Sequence, residues 1–138
     1  DDGLVYEEGT FDVAIASGSG TITVDSSYNL FNYIRIGNLV KINGRCRVSA
    51  ISSNSGELTI TGLPYASSAG SGEDSYWNPI TVYLRGASSS VDNGVVGAIG
   101  QSSTTIEFFE NSTVGTGNDL ADHIDTGSFI MIGGTYTI

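Results

Sequence analysis

The segment Leu39-Val-Lys-Ile-Asn-Gly-Arg-Cys-Arg-Val48 decides the fold class, because apolar and polar residues alternate along it. A period of two sends successive side chains to opposite faces of a β-strand. The apolar set is therefore expected to face a core, and the polar set to face away from it. The expected inward residues are Val40, Ile42, Cys46 and Val48, and the outward ones are Lys41, Asn43, Arg45 and Arg47.

The same alternation recurs on both sides of this segment and predicts about eight or nine strands. Turns rich in glycine and serine, such as Ser17-Gly-Ser-Gly20, separate the strands, and no amphipathic helical stretch of useful length occurs. We therefore predict an all-β fold: an antiparallel two-sheet β-sandwich, similar to a jelly roll. One domain is expected over residues 1–138, with residues 1–8 as its initial segment. Further inward residues are expected to be Ile60, Val82 and Ile106, and Ile34 and Ile36 flank Arg35 on their strand.

Composition limits the classes of partner. The chain of 138 residues has a net charge of −10 and five Lys and Arg residues. Nucleic acid is not expected as a partner, because contact with phosphates requires clustered cations. Membrane insertion is not expected either, because no apolar run approaches the roughly 18 residues that span a bilayer. The single cysteine, Cys46, excludes an intrachain disulfide and is expected to be buried, which fits folding in a reducing cytoplasm.

Four short motifs resemble a pattern found in the distal domains of bacteriophage tail fibres and tailspikes. The chain has Tyr6-Glu-Glu-Gly-Thr-Phe11, Tyr33-Ile-Arg-Ile-Gly-Asn-Leu-Val40, Gly62-Leu-Pro-Tyr65 and Gly133-Gly-Thr-Tyr136. The family pattern has YEEGTW, YxKIGNLV, GLPF and SGxY, so the departures include Phe for Trp, Tyr for Phe and Gly for Ser. The resemblance extends from residue 6 to the end of the sequence.

The resemblance implies a homotrimer that is made in the host cytoplasm and mounted on the virion. Its expected role is to hold trimers together, or to contact a glycan on the bacterial surface. It also implies that the segment is the distal part of a longer chain, which the start at Asp1-Asp2-Gly3 suggests as well. A non-enzymatic role is expected, because one histidine and no Gly-x-Ser-x-Gly elbow leave no nucleophile–base pair to assign.

The long loop 66–78 is the predicted glycan-binding site. Sugar recognition uses an aromatic face for the C–H side of the ring, beside carboxylate or amide groups for the hydroxyls. The alternative is that the single tryptophan folds back as a lid on an open end of the fold. The candidate residues are Tyr65, Glu73, Asp74, Tyr76, Trp77 and Asn78.

The cations are concentrated, and this stripe is the predicted trimer interface. Either it pairs with acidic residues such as Glu57 and Glu107 across strands, or it faces another subunit, where arginine is enriched. An anionic polysaccharide site is a third interpretation. The stripe is expected to comprise Lys41, Arg45 and Arg47 on one strand and Arg35 on the neighbouring strand.

The second long loop, 111–127, contains a helical turn predicted at 118–124 and several oxygen ligands of the kind that Ca²⁺ takes. The spacing is not that of an EF-hand, so a solvated acidic turn is favoured over calcium, and no cofactor is expected. The oxygen-bearing residues, with one histidine, are Asn111, Asn118, Asp119, Asp122, His123 and Asp125.

Two other functions remain open from the sequence. One is a carbohydrate-binding module of a secreted bacterial enzyme, which would be a monomer. The other is a purely structural trimerisation domain with no ligand, which a glycan array would distinguish from a receptor-binding domain.

Overall fold

The computed structural model describes residues 4–70, 77–87, 94–112, 115–117 and 120–138. These residues form nine strands and one short 3-10 helix, so the predicted all-β class is confirmed. The helix, Leu120–His123, lies within the helical turn predicted at 118–124. The strands are β1 (Tyr6–Asp12), β2 (Ala14–Val24), β3 (Leu30–Ile36), β4 (Leu39–Thr61), β5 (Asn78–Arg85), β6 (Val95–Ile99), β7 (Thr105–Ser112), β8 (Gly115–Gly117) and β9 (Phe129–Thr137).

Five strands close into an antiparallel barrel in the order β4–β9–β5–β6–β7 and back to β4. Strand β4 closes the ring because its 23 residues are long enough to pair twice. Residues 39–47 pair with β9, and residues 59–61 pair with β7. The prediction of two separate sheets is therefore corrected: the strands form one continuous sheet that curls round and bonds to itself.

The remaining strands extend this barrel. Strand β1 pairs with β3, and β3 pairs with the first part of β4, so both lie outside the closed ring. Strand β2 pairs with the second part of β4, and β8 pairs with β7. As a result β1, β3, β4, β9 and β5 lie side by side and present one broad surface.

The core fills the barrel and confirms most of the predicted inward positions. Val40, Ile42, Cys46, Ile60 and Ile106 are each fully buried. A predicted sixth residue, Val82, is partly buried and packs against the core cluster. Alternation along β4 and β7 was a sufficient guide because each of these strands has one face inside the barrel.

The predicted phase of β3 was wrong. Ile34 and Ile36 are exposed, whereas Tyr33 and Arg35 are half-buried on the opposite face. Strand β3 lies outside the ring, and its inner face is occupied by large side chains such as that of Phe31. Gly44 makes room for Phe31: a Cβ at that position would lie 2.3 Å from the ring.

In the described part of the chain, no helix is long and apolar enough to cross a membrane.

Candidate functional site

The surface formed by β1, β3, β4, β9 and β5 is called here the outward face. Directly paired residues on antiparallel strands share a face, so the register shows which side chains lie on it. One row runs from Tyr6 through Ile36 and Leu39. Another, at the opposite end, runs from Arg47 through Phe129 to Arg85. The two ends differ in chemistry and are described in turn.

One end of the outward face is apolar. Leu4 is 77% exposed and Tyr6 is 62% exposed, beside the exposed side chains of Ile36 and Leu39. Monomeric soluble proteins rarely expose large contiguous apolar patches, and such a patch marks an interaction surface. The apolar patch consists of Leu4, Tyr6, Ile34, Ile36 and Leu39.

The other end of the outward face carries stacked arginines. The guanidinium carbon of Arg45 lies 5.1 Å from the ring centre of Phe129 and 5.4 Å from that of Tyr28. The guanidinium carbon of Arg47 lies 5.6 Å from the Phe129 ring centre. Arg85 is paired directly with Phe129 from the other side. These five residues are called the arginine cluster.

The predicted cationic stripe is divided between two faces. Lys41, Arg45 and Arg47 are all exposed on the outward face. Arg35 is paired with Val40 and points to the opposite side of the sheet, so its place in that stripe is corrected. Its Nε donates a hydrogen bond of 2.9 Å to the carbonyl oxygen of Gly37. The sequence missed this because the phase of β3 was inverted.

Arg35 belongs instead to a network that joins the four sequence motifs. Glu7 Oε1 accepts hydrogen bonds from the hydroxyl of Tyr33 and, at 2.6 Å, from that of Tyr65. The guanidinium carbon of Arg35 lies 4.9 Å from the Tyr65 ring centre. The Tyr136 hydroxyl donates a 2.9 Å bond to the carbonyl oxygen of Tyr65. This motif network therefore draws one residue or more from each motif into a single cluster.

The motif network perturbs its own acid–base equilibria. Hydrogen bonds from Tyr33 and then Tyr65 hold the pKa of the Glu7 carboxyl below its usual range, and the charge of Arg35 acts in the same direction. The hydrogen bond to Glu7 raises the pKa of Tyr33 to about 12. A carboxylate that accepts two hydrogen bonds is stabilised in its ionised form. Glu7 is therefore an anionic link between strands.

Trp77 lies at a different place, on the β6–β7 side of the barrel. Its indole is 49% exposed and packs edge to face on Phe109, with ring centres 6.1 Å apart. Together with Val96 and Ala98 these rings line an apolar groove of about 400 Å³, called the Trp77 groove. The exposed fraction satisfies the requirement for sugar stacking, and the contact with Phe109 also fits the alternative role of a lid.

The other predicted glycan residues are dispersed or lie outside the described residues. Tyr65 belongs to the motif network and does not line the Trp77 groove. Asn78 begins β5, where it pairs with Ile99. Glu73, Asp74 and Tyr76 lie outside the described residues.

The acidic turn around 120–125 makes contacts within the fold. Asp122 Oδ1 accepts a 2.7 Å hydrogen bond from the backbone N–H of Gly56. His123 Nε2 lies 3.4 Å from Glu110 Oε1. Asn118 and Asp119 lie outside the described residues. Among the residues that are described, no group of three or more His, Cys, Asp or Glu side chains is placed to hold a metal ion.

Two features were missed by sequence reasoning. The apolar patch was overlooked because the predicted phase of β3 was wrong. The contacts of Phe129 and Tyr28 with the arginines were also overlooked, because these aromatic residues are distant in sequence from the arginines. The sequence did hold a signal for the apolar patch: Phe31 and Tyr33 alternate with Ile34 and Ile36 along β3, so large aromatic residues compete with the isoleucines for the inner face.

The fold and its outward face define a class: a closed five-stranded antiparallel barrel with outer strands on one side. Among solved structures, the chain is similar to the Dettilon tailspike protein (gp208), with a TM-score of 0.81 and 20% identity over 96% of this chain. The chain spans 24% of that tailspike. No family model and no curated protein matches the sequence. The predicted resemblance to a tailspike domain is thus confirmed at the level of the fold.

Proposed function

We propose that the chain is a non-enzymatic domain of a phage tail fibre or tailspike, which trimerises on the virion and contacts a glycan on the bacterial surface. The observation that carries this proposal is the apolar patch, supported by the similarity to a tailspike fold. A patch of this kind gains stability when a second copy of the chain covers it. The polar surroundings of the patch suit the rim of a subunit interface.

The proposed trimer contact is the apolar patch, with Lys41 at its rim. Lys41 is paired with Ile34, one of the patch residues, and is therefore adjacent to it. Arg45 and Arg47 lie further along β4, at the other end of the outward face, and are not proposed as part of this contact. Arg35 is on the opposite face and is not proposed as part of this contact.

The proposed glycan contact is the Trp77 groove. A half-exposed indole offers one face to the C–H side of a sugar, while Phe109 holds the ring in place. The groove is on a different part of the barrel from the apolar patch. Trimerisation and glycan contact could therefore occur together.

Light scattering tests the trimer. The isolated chain should have about three times the monomer mass at micromolar concentration. Ile36→Asp, within the apolar patch, should reduce that mass, because it buries an unpaired charge in the interface. Val96→Asp is the matched control, since it places the same charge on an exposed apolar side chain outside the patch. A monomeric wild-type chain would contradict the trimer.

A glycan array tests the binding role separately. Retention of host surface polysaccharide by the wild-type chain, lost in Trp77→Ala, is the expected result. A trimer that retains no glycan would support the purely structural trimerisation domain. A monomer that retains glycan would support the carbohydrate-binding module.

A further inference from the structure

The arginine cluster concentrates positive charge in an acidic chain. Of the five Lys and Arg residues, two lie near the ring of Phe129 and a third, Arg85, is paired with Phe129 on the neighbouring strand, although the net charge is −10. Like charges on neighbouring strands repel one another. In the described part of the chain, no carboxylate lies within 4.0 Å of these three guanidinium groups. This end of the outward face therefore holds positive charge that the described residues do not balance.

Aromatic rings lie beside two of these guanidinium groups. Arg45 contacts the rings of both Tyr28 and Phe129, and Arg47 contacts the same Phe129 ring. The two rings pack edge to face, with centres 6.2 Å apart. Stacking uses the flat face of a guanidinium group and leaves the N–H donors at its edge for an acceptor. The positions are thus partly organised before any ligand arrives, which lowers the entropic cost of binding.

Exposed tyrosines flank the charge on both sides. Tyr28 is 38% exposed beside Arg45, and Tyr83 is 58% exposed on β5. Tyr83 is paired with Met131, which is in turn paired with Arg45, so it lies two strands away, at roughly 10 Å. A tyrosine ring presents a flat apolar face with a polar end, the form that stacks on a sugar ring.

We propose that the arginine cluster binds an acidic sugar of a surface polysaccharide, with Arg45 and Arg47 holding its carboxylate and Tyr28 stacking on its ring. Arginine suits this task because its planar fork matches the two oxygens of a carboxylate. Nucleic acid is a poor fit, because tight contact with a polyphosphate backbone uses more clustered cations than the three arginines of this cluster. The site is separate from the Trp77 groove and the apolar patch, so it goes beyond the proposed function.

Retention on immobilised polysaccharides tests the site with defined probes. The acidic probes are polygalacturonate, alginate, hyaluronate and polysialate. The neutral probes are dextran and fully methyl-esterified polygalacturonate, which keeps the sugar and removes the charge. The wild-type chain should be retained by at least one acidic probe and not by the neutral ones. Added salt should weaken that retention, because the contact is electrostatic.

Matched variants locate the binding. Arg45→Gln combined with Arg47→Gln should weaken affinity for the retained probe by about tenfold or more, since two charge-assisted hydrogen-bonding groups are lost. Thr10→Asp is the control: it lowers the charge of the same face by one unit outside the cluster and outside the apolar patch, and it should change affinity by less than about twofold. Arg45→Lys combined with Arg47→Lys keeps the charge without the planar fork and should give an intermediate loss.

Three outcomes would overturn the proposal. The first is that no acidic probe is retained. The second is that binding is not specific to the cluster, because the neutral ester binds as well as polygalacturonate or because Thr10→Asp weakens binding as much as the double glutamine variant does. The third is that the double glutamine variant lowers the mass in light scattering and leaves affinity unchanged, which would make the cluster a subunit contact. The lysine pair keeps the test valid if the glutamine pair does not fold.

Discussion

Glu7 and Tyr65 are 58 residues apart in the chain, and a hydrogen bond of 2.6 Å joins the Tyr65 hydroxyl to Glu7 Oε1. Glu7 is on β1, which lies at the edge of the sheet beside β3. Tyr65 follows β4, and its carbonyl oxygen is held by Tyr136 of β9. The bond therefore attaches the edge strand to the barrel at a second place, in addition to its pairing with β3.

Replacing Glu7 by glutamine should weaken this attachment. Glu7→Gln keeps the shape of the side chain but removes the charge that strengthens both hydrogen bonds. The melting temperature should fall by a few degrees, and hydrogen exchange should accelerate first in β1. Glu8→Gln is the matched control, because Glu8 is exposed and bonds only locally, to Tyr6 at 2.9 Å. If the two variants had equal effects, the hydrogen bonds of Glu7 would not stabilise the attachment of β1 to the barrel.

Acid should loosen the same link. The pKa of Glu7 is lowered from its ordinary value of 4.5 in the folded protein. Below that value the unfolded state binds more protons at Glu7 than the folded state, so stability rises with pH there. Ionised Glu7 contributes to the free energy of unfolding above pH 4.5, and this contribution is lost as the pH falls through the pKa of Glu7 in the folded protein. The free energy of unfolding in urea should therefore be measured against pH for the wild type and for Glu7→Gln, and the two values should converge in acid. Parallel curves across that range would contradict the lowered pKa.

Cys46 should resist modification in the native state. The thiol is fully buried, and burial raises its pKa to about 12, so little reactive thiolate exists near neutral pH. A thiol reagent should label it slowly in buffer and rapidly in denaturant. Cys46→Ala should cost less than Ile42→Ala, for which the expected loss is about 2–4 kcal/mol. Rapid labelling in buffer would mean that this face of β4 is open to solvent.

Trp77→Ala should separate glycan contact from stability. Because the indole is half-exposed, iodide should quench its fluorescence, and a bound polysaccharide should protect it. The variant should lose binding and keep most of its stability, whereas truncating a buried aromatic costs about 3–5 kcal/mol. Leu30→Ala, which truncates an exposed apolar side chain outside the groove, should leave binding unchanged. A large fall in melting temperature with no change in binding would favour the lid.

Local alternation predicted the strands but not how they meet. The inward residues of β4, such as Ile42 and Cys46, could be assigned because one face of that strand is inside the barrel. Strand β3 has the same kind of pattern, yet it lies outside the ring, so its isoleucines face outward. Closure of the barrel depends on Ile60 pairing with Ile106, and pairing over such a separation leaves no local pattern.

The candidate sites were predictable to different degrees. The exposure of Arg45 and Arg47 follows from alternation alone. Their stacking on Phe129 could not be predicted, since it depends on which strand lies next to β4. The motifs indicated that Glu7 and Tyr65 belong to one pattern, but only the fold shows that they touch.

The position of β9 has a consequence for the order of folding. It is the last strand along the chain, yet it lies between β4 and β5 in the ring. During synthesis, the strands that precede it can form local hairpins, but the ring cannot close until residues 129–137 have left the ribosome. Until then the facing edges of β4 and β5 lack their partner and are open to pairing with other chains. The domain should therefore fold late and largely in one step, and a nascent chain stalled before β9 should be prone to aggregation.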